Sequence, residues 1–436
     1  MRLMAADVAK ATNGILVGQN AHLSGVSFDS RSVRPGQLFV PIVAERDGHK
    51  FIEAALAAGA GAYLTTGQTF GRTSITVPDT LAALLQLGAW GRNKLDQQLD
   101  NRVVGITGSV GKTSTKDFIA AALGSSLRVT ANERSFNNDQ GLPVTILNAA
   151  DDVQALVLEM GMRGFGEITR LCAVARPNIG VVTRVATAHT ERVGDIEGVA
   201  RAKSELVKSL DASGFAVLNA DDERVAAMQS LTEATVFTYG MSPSATVRMT
   251  SCVLNDRACA SVSIESPWGK ASWKMNVPGE HMAHNAVAAV AVAGVMGLDI
   301  QRAADAIETS VLSEMRMQHR IARSGALVID DSYNANPASL AAALHALSAT
   351  KSSRRIAVLG VMAELSDPEH EHLQITHLAK QLDIELIAVA TDLYGVQSRT
   401  REEVAAILLA AEKSATILIK GSRVAQLEKL VSLLVD

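Results

Sequence analysis

The chain has 436 residues, which at roughly 150 residues per domain predicts about three domains. Hydrophobic residues make up 47% and charged residues 20%, as in ordinary globular proteins, while aromatics at 4% leave Ala, Val, Leu and Ile to build the cores. A net charge of −4 offers no basic surface for nucleic acid, and the longest apolar run, "AVAAVAVAGVMGL" at 286–298, is too short for a membrane span.

Residues 1–98 mix short strands and helices. "VSFDSRSV", "GQLFVPIV", "AYLTT" and "SITVP" read as strands, "HKFIEAALAAGA" and a stretch from about 79 to 95 as helices, and "NKLDQQLDNR" as a polar linker. The opening "MRLMAADVAKATNG" has no signal-peptide pattern, and Cys172, Cys252 and Cys259 are far apart, so a reducing, cytoplasmic setting is expected. From residue 102, β-branched runs ("RVVGIT", "ALVLEMG", "NIGVVTRV", "GFAVLNA") alternate with helical stretches, which predicts a mostly parallel sheet covered on both faces. Between 236 and 277 the alternation is strand-like without helices, predicting an antiparallel extension of the same domain. A helix over "HMAHNAVAAVAVAGVMG" packs back, and "QRAADAIETSVL" leads out near 312. Then "ALVIDDSY", "RRIAVLG", "ELIAVAT" and "ATILIKGS" begin a second doubly wound, Rossmann-like unit that lacks the glycine fingerprint. The expected architecture is α/β in three domains: 1–98 small and mixed, 99–312 a phosphate-loop parallel-sheet ATPase domain, and 313–436 Rossmann-like.

The strand "RVVGIT" runs through "TGSVGKT" into a helix beginning near Lys112. Glycines there let Thr107, Gly108, Ser109, Val110 and Gly111 turn main-chain N–H groups inward, and the helix start at Lys112, Thr113 and Ser114 adds positive potential. Position 106 is Ile, so the loop is a compact form of the phosphate cradle. Lys112 is expected on the β- and γ-phosphates of a bound ATP or GTP and Thr113 on Mg²⁺. A hard cation wants oxygen ligands at a nearby strand end, and Glu159 ends "ALVLE". His189 follows the next strand on the same carboxyl edge. Lys203, on a helix, would by itself be a surface lysine.

These residues together resemble the muramyl (Mur) ligases of bacterial peptidoglycan synthesis over nearly the whole chain, most of all the branch that adds D-alanyl-D-alanine. The resemblance implies an ATP-dependent ligase with Mg²⁺, in two ions, on Thr113, Glu159, His189 and Lys203, the last carrying a carbamate. Lys112, His189 and Lys203 are then the catalytic residues. "GEHMAHNAVAA" resembles the family's adenine-contacting segment through Asn285, with Met282 at its first Asn. Arg316 and Asp331 match residues that the family sets on phosphate and ribose. "DDSYNANPAS" at 330–339 carries Tyr333, Asn334 and Asn336 for the dipeptide, and "SFNNDQGLPVTIL" carries Asn137 and Asn138 near substrate. "FDSR" (Ser30, Arg31) and "ERDGHKF" (Asp47, Gly48, His49) resemble the segments that receive the UDP-muramyl substrate. "VLGVMAEL" has Val361 for the usual Asp, "VTRVATAH" has Arg184 for an Asn, and "IKGSR" closes the pattern.

The expectation is therefore a monomeric cytoplasmic ligase. It would join UDP-N-acetylmuramoyl-tripeptide to D-Ala-D-Ala through an acyl phosphate, with no nucleic-acid partner and no membrane insertion. The alternatives are a sibling muramyl or folylpolyglutamate-type ligase adding a single amino acid, a divergent member with another amine, and a slow nucleotide-switched binding protein.

Overall fold

The computed structural model describes the chain apart from residues 68, 134–135, 188–189 and 436 and the side chains of 190 and 191. At the N-terminus β1 (Leu3–Met4) pairs with β3 (His22–Leu23). A second sheet takes β2 (Ile15–Val17), β4 (Val26–Ser27), β5 (Leu38–Phe39), β6 (Ala62–Thr65) and β7 (Ser74–Thr76) in the order 2-7-6-5-4. The expected strand over 26–33 stops at Ser27 because turn chemistry takes over. The Ser27 hydroxyl accepts from Asp29 N at 3.2 Å, and the Asp29 carboxylate accepts from Arg31 N at 3.0 Å. The expected linker at 93–102 also differs. It holds a short helix, Asp96–Leu99, with Leu95 and Leu99 buried four residues apart and Asp96 paired with Arg92 and Arg176.

The central sheet has nine strands. β8 (Val103–Thr107), β9 (Val129–Ala131), β10 (Ala155–Glu159), β11 (Ile179–Val182), β12 (Phe215–Asn219), β13 (Thr235–Gly240) and β14 (Val247–Leu254) run parallel. β15 (Cys259–Ser266) and β16 (Gly269–Pro278) extend it antiparallel, in the order 16-15-14-13-12-11-8-10-9. The antiparallel extension expected over 236–277 is antiparallel only in β15 and β16; β13 and β14 pair parallel, and all four strands continue the central sheet. β8 lies between β10 and β11, so the chain leaves it first to one side and later to the other. Ligands of open α/β sheets gather at the carboxyl ends of strands at such a reversal. Helices Lys112–Gly124 and Glu280–Val295 pack against each other beside the sheet. The second is almost wholly Ala and Val along its buried length, which lets the two backbones approach closely.

The last sheet combines β17 (Gln318–Ile321), β18 (Leu327–Asp331), β19 (Arg354–Leu359), β20 (Glu385–Val389), β21 (Ser398–Arg399) and β22 (Ala415–Lys420) in the order 17-18-22-19-20-21. It is parallel except for β17. One cluster of buried side chains runs from helix Glu280–Val295 into helix Pro337–Ser348, so the last sheet packs onto the central one on the phosphate-loop side.

Candidate active site

The loop between β8 and helix Lys112–Gly124 is built around two glycines. Gly108 has φ +151° and Gly111 φ +83°. A Cβ at Gly108 would collide with the Thr183 hydroxyl, and one at Gly111 would stand 2.6 Å from Asn285 Oδ1. Asn285 thus packs its amide against the loop from helix Glu280–Val295, and its Nδ2 reaches the sulfur of buried Met282 at 3.8 Å. The first-turn amides of Lys112, Thr113 and Ser114 have no intrahelical acceptor by geometry, which leaves donors and positive potential at the loop. Lys112 Nζ donates to Gly108 O at 2.7 Å, so its ammonium folds back over the loop. Desolvation, first, and Arg316 lower the Lys112 pKa, while Glu159 opposes them. A cation held over carbonyl oxygens and short of counter-charge is a good fit for a phosphate.

Other loop residues are committed elsewhere. The Thr107 hydroxyl donates to Met160 O at 3.0 Å, and Thr183 Oγ1 donates to Val110 O at 2.6 Å. Ser109 N donates to Arg184 O at 2.7 Å, and the Ser109 hydroxyl exchanges hydrogen bonds with Ala186 N and O. Ser109 therefore fastens the segment 184–186 onto the loop. Arg184 itself is exposed.

Glu159, at the end of β10, is buried and held on every side. Asn132 accepts from its N–H at 2.8 Å and donates to its carbonyl at 3.0 Å. Thr113 Oγ1 donates to Oε2 at 2.8 Å and Asn137 Nδ2 to Oε1 at 2.7 Å. A hydroxyl and a carboxylate converging in this way supply the hard oxygen donors that Mg²⁺ takes. Among the described residues no group of three or more His, Cys, Asp or Glu comes together as a metal cage. His189, expected as a further ligand, lies outside the described residues. Lys203 is buried at 2% exposure, and its pKa falls well below the ordinary lysine value through desolvation first and the Lys112 charge second. The surface-lysine reading is thereby excluded.

Two contacts bring the last domain to the loop and its helix start. Arg316 Nη2 stands 3.4 Å from Thr113 Oγ1, and its guanidinium lies 4.2 Å over the Tyr333 ring. Asn336 Nδ2 reaches toward Ser109 O at 3.5 Å. Asn336 Oδ1 accepts from Ser339 N at 2.9 Å in a capping box that starts helix Pro337–Ser348. The Asn336 carbonyl oxygen is thus engaged as a helix cap, whereas Asn334 is exposed. Asp331 is likewise engaged: Lys420, its register partner on β22, donates to Oδ2 at 2.5 Å, and Met317 N donates to Oδ1 at 3.2 Å. Lys420 Nζ also donates to Asn334 O, and the Ser422 hydroxyl to Ala335 O, so "KGSR" props the "DDSYNANP" loop.

Asn138 shapes the entry to helix Gly141–Leu147 by accepting from Gln140 N and Gly141 N, and so is also structural. In the first domain Arg31 is exposed and forks onto Asp29, with Ser30 beside it. Asp47 caps the turn Gly48–Phe51 and bonds His49 Nδ1 at 2.7 Å. Phe28 and Phe136 stack at 5.3 Å, which sets the turn at 28–31 beside the Asn137 segment. The turn at 47–49 is not brought to the loop by any contact among the described residues. Sequence reasoning missed Lys116, Asp117 and Asn132, single polar residues without a local pattern.

A phosphate loop on a parallel sheet, faced by an arginine just before the first strand of a second α/β unit, is the arrangement of an ATP-dependent ligase with its site at a domain junction. Family models match in two parts, the Mur ligase middle domain over residues 106–293 and the Mur ligase, glutamate ligase domain over 315–432. The chain belongs to the Mur ligase family. It is 33% identical over 442 residues to the UDP-N-acetylmuramoyl-tripeptide–D-alanyl-D-alanine ligase of Escherichia coli K12, covering 96% of this chain and 95% of that one. A crystal structure of MurF from Acinetobacter baumannii superposes with a TM-score of 0.90 at 27% identity, covering 99% and 98% of the two chains. That of MurF ligase from Thermotoga maritima in complex with ADP gives 0.82 at 25% identity, covering 94% and 96%. No helix among the described residues is long and apolar enough to cross a membrane.

Proposed function

We propose that the protein joins D-alanyl-D-alanine to UDP-N-acetylmuramoyl-tripeptide, with cleavage of ATP to ADP and phosphate, in the cytoplasm where these substrates are made. The observation that carries this reading is the meeting of Lys112, Thr113 and Glu159 with Arg316 across the junction of two domains. Residues 1–98 would receive the UDP-muramyl substrate through the turns at Ser30–Arg31 and Asp47–His49, 99–312 the ATP, and 313–436 the dipeptide.

A carboxylate is a poor electrophile, so ATP converts it to an acyl phosphate, which brings two anions together. Lys112 and Arg316 lower that repulsion in a site poor in water, where fixed charges act strongly. Mg²⁺ on Thr113 and Glu159, with a second ion on His189 and a carbamate of Lys203, would supply further charge neutralisation at the phosphate oxygens. Lys203 suits the carbamate because burial and the Lys112 charge lower its pKa and so favour the neutral, nucleophilic amine, which would add to CO₂ with release of a proton. The resulting anion turns repulsion from Lys112 into attraction. The amine of the dipeptide then attacks the acyl carbon, and the tetrahedral intermediate collapses to amide and phosphate. Closure of the last domain excludes water, which would otherwise hydrolyse the acyl phosphate. Tyr333, Asn334 and Asn336, on the loop that enters helix Pro337–Ser348, are the residues proposed for the dipeptide. Phosphate release measured across a panel of UDP-muramyl peptides, with D-Ala-D-Ala or single amino acids as the amine, tests the assignment. A single amino acid outcompeting the dipeptide would move the protein to a sibling activity.

A further inference from the structure

The segment that joins the second domain to the third is gripped at both ends by the phosphate-loop helix. Ser313 N donates to Asp117 Oδ2 at 2.8 Å, and three residues on Arg316 Nη2 approaches Thr113 Oγ1 at 3.4 Å. Over the strap at 313–317 the backbone is strained. Met315 has φ +60° and Met317 φ +49°, left-handed conformations that side chains other than Asn and Asp seldom adopt. Such strain persists only where surroundings over-determine it. Here Tyr333 N donates to Met315 O, Met315 N to Gln318 Oε1, and Met317 N to Asp331 Oδ1.

The grip is wired to the metal-binding pair. Asp117 Oδ1 lies 3.0 Å from Lys116 Nζ, which is buried and donates to Asn132 O at 2.8 Å. The Asn132 side chain in turn pins the backbone of Glu159, and Glu159 accepts from Thr113. Ser313, Asp117, Lys116, Asn132, Glu159, Thr113 and Arg316 thus close a ring that starts and ends on the same five-residue strap.

We propose that Asp117 is a positioning residue for the ligase reaction: it latches the interdomain strap to the phosphate-loop helix, so that Arg316 reaches the phosphates only when the last domain is seated. This rests on the ligase reading. Releasing Ser313 lets the strap relax out of its left-handed turns, Arg316 leaves Thr113, and the domain closes incompletely. Acyl phosphate then forms slowly and is lost partly to water.

The test uses the full chain as wild type, Asp117→Ala, Asp117→Asn, Arg316→Ala and the Asp117→Ala/Arg316→Ala double variant, each with its unfolding temperature. Asp117→Ala is expected to lower kcat by about 10- to 100-fold, as for loss of a hydrogen bond to a charged acceptor. It should also raise the ADP released per amide formed above that of the wild type. Asp117→Asn, which still offers an oxygen to Ser313 N, should fall between, and it carries the comparison if the alanine variant does not fold. In the Arg316→Ala background Asp117→Ala should add less than about threefold, because both act through one group. Full kcat with unchanged ADP per amide in Asp117→Ala, or full multiplication of the two effects, overturns the latch. Small-angle scattering with a non-hydrolysable ATP analogue reads closure apart from ligation. The wild type should be more compact than Asp117→Ala, and equal compaction also overturns the proposal. A wild type that forms no amide defeats the ligase reading alone, since the scattering comparison still decides the latch.

Discussion

Asn137 separates two accounts of the segment 135–147. As part of an Asn-Asn motif it is expected at the muramyl substrate, yet in the fold its Nδ2 donates to Glu159 Oε1 at 2.7 Å. Among the described residues Asn137→Ala removes one of the two side-chain donors to that buried carboxylate and leaves Thr113. A hydrogen bond to a charged group contributes about 1.5–3 kcal/mol, which corresponds to roughly a 10- to 150-fold change in an equilibrium constant. The carboxylate would lose its fixed orientation toward Thr113, so the loss should fall on Mg²⁺-dependent ATP use. Phosphate release is measured as a function of Mg²⁺ and ATP, with the muramyl peptide and dipeptide saturating, and then as a function of the muramyl peptide. The account expects a rise in the Mg²⁺ or ATP requirement within that range and a muramyl-peptide KM within about threefold of wild type. The reverse pattern, a large change in muramyl-peptide KM with Mg²⁺ dependence untouched, would refute the placement of Asn137 behind Glu159.

Lys203→Ala should be nearly inactive and partly restored by acetate or added bicarbonate, whereas Lys203→Arg should not be restored, because a guanidinium stays cationic; a fully active Lys203→Ala removes the carbamate. Asn336→Ala should cost about 1 kcal/mol of stability in denaturant unfolding through loss of the helix cap, while Asn336→Asp keeps it. If the Asn336 amide also serves the dipeptide, both variants raise its KM, and unchanged dipeptide kinetics in both would confine Asn336 to capping. The pKa of His281 is pushed down to about 4, chiefly by desolvation, from an ordinary 6.5. The unfolded chain therefore binds more protons between these values, so His281 favours folding above about pH 6.5 and that contribution is lost as pH falls toward 4. Unfolding free energies from pH 4 to 7 should slope less steeply in His281→Asn, and identical slopes would contradict this.

The phosphate loop was legible because its chemistry is local: a strand, glycines that must take positive φ, and Lys-Thr at a helix start. The inner parallel strands of the central and last sheets were legible for a similar reason, since β8, β10, β11, β12, β18, β19, β20 and β22 are mostly apolar runs, whereas β9, β17 and β21 carry no such run. Of the two-residue strands in the first domain, β4 and β5 were legible only as parts of longer strands and β1 and β3 not at all, because nothing within so short a stretch separates strand from turn. "DDSYNANP" and "KGSR" each stood out, but their contact depends on the parallel register that sets Asp331 beside Lys420. Seen alone, Asp331 and Asn336 looked free for ligands, and only the fold reveals that Lys420 and a helix cap already hold them. Asn132 and Asp117 carried no signal at all, since each acts through partners far along the chain.

The central claim is that ATP cleavage is coupled to one particular amide bond. The most direct measurement follows ADP, phosphate and the muramyl product together, by coupled assay and mass spectrometry, with UDP-N-acetylmuramoyl-tripeptide, D-Ala-D-Ala and ATP supplied singly, in pairs and all three. The account predicts ADP, phosphate and UDP-N-acetylmuramoyl-pentapeptide in equal amounts only when all three substrates are present. Steady ADP production without the peptide substrates, or with no pentapeptide formed, would contradict it.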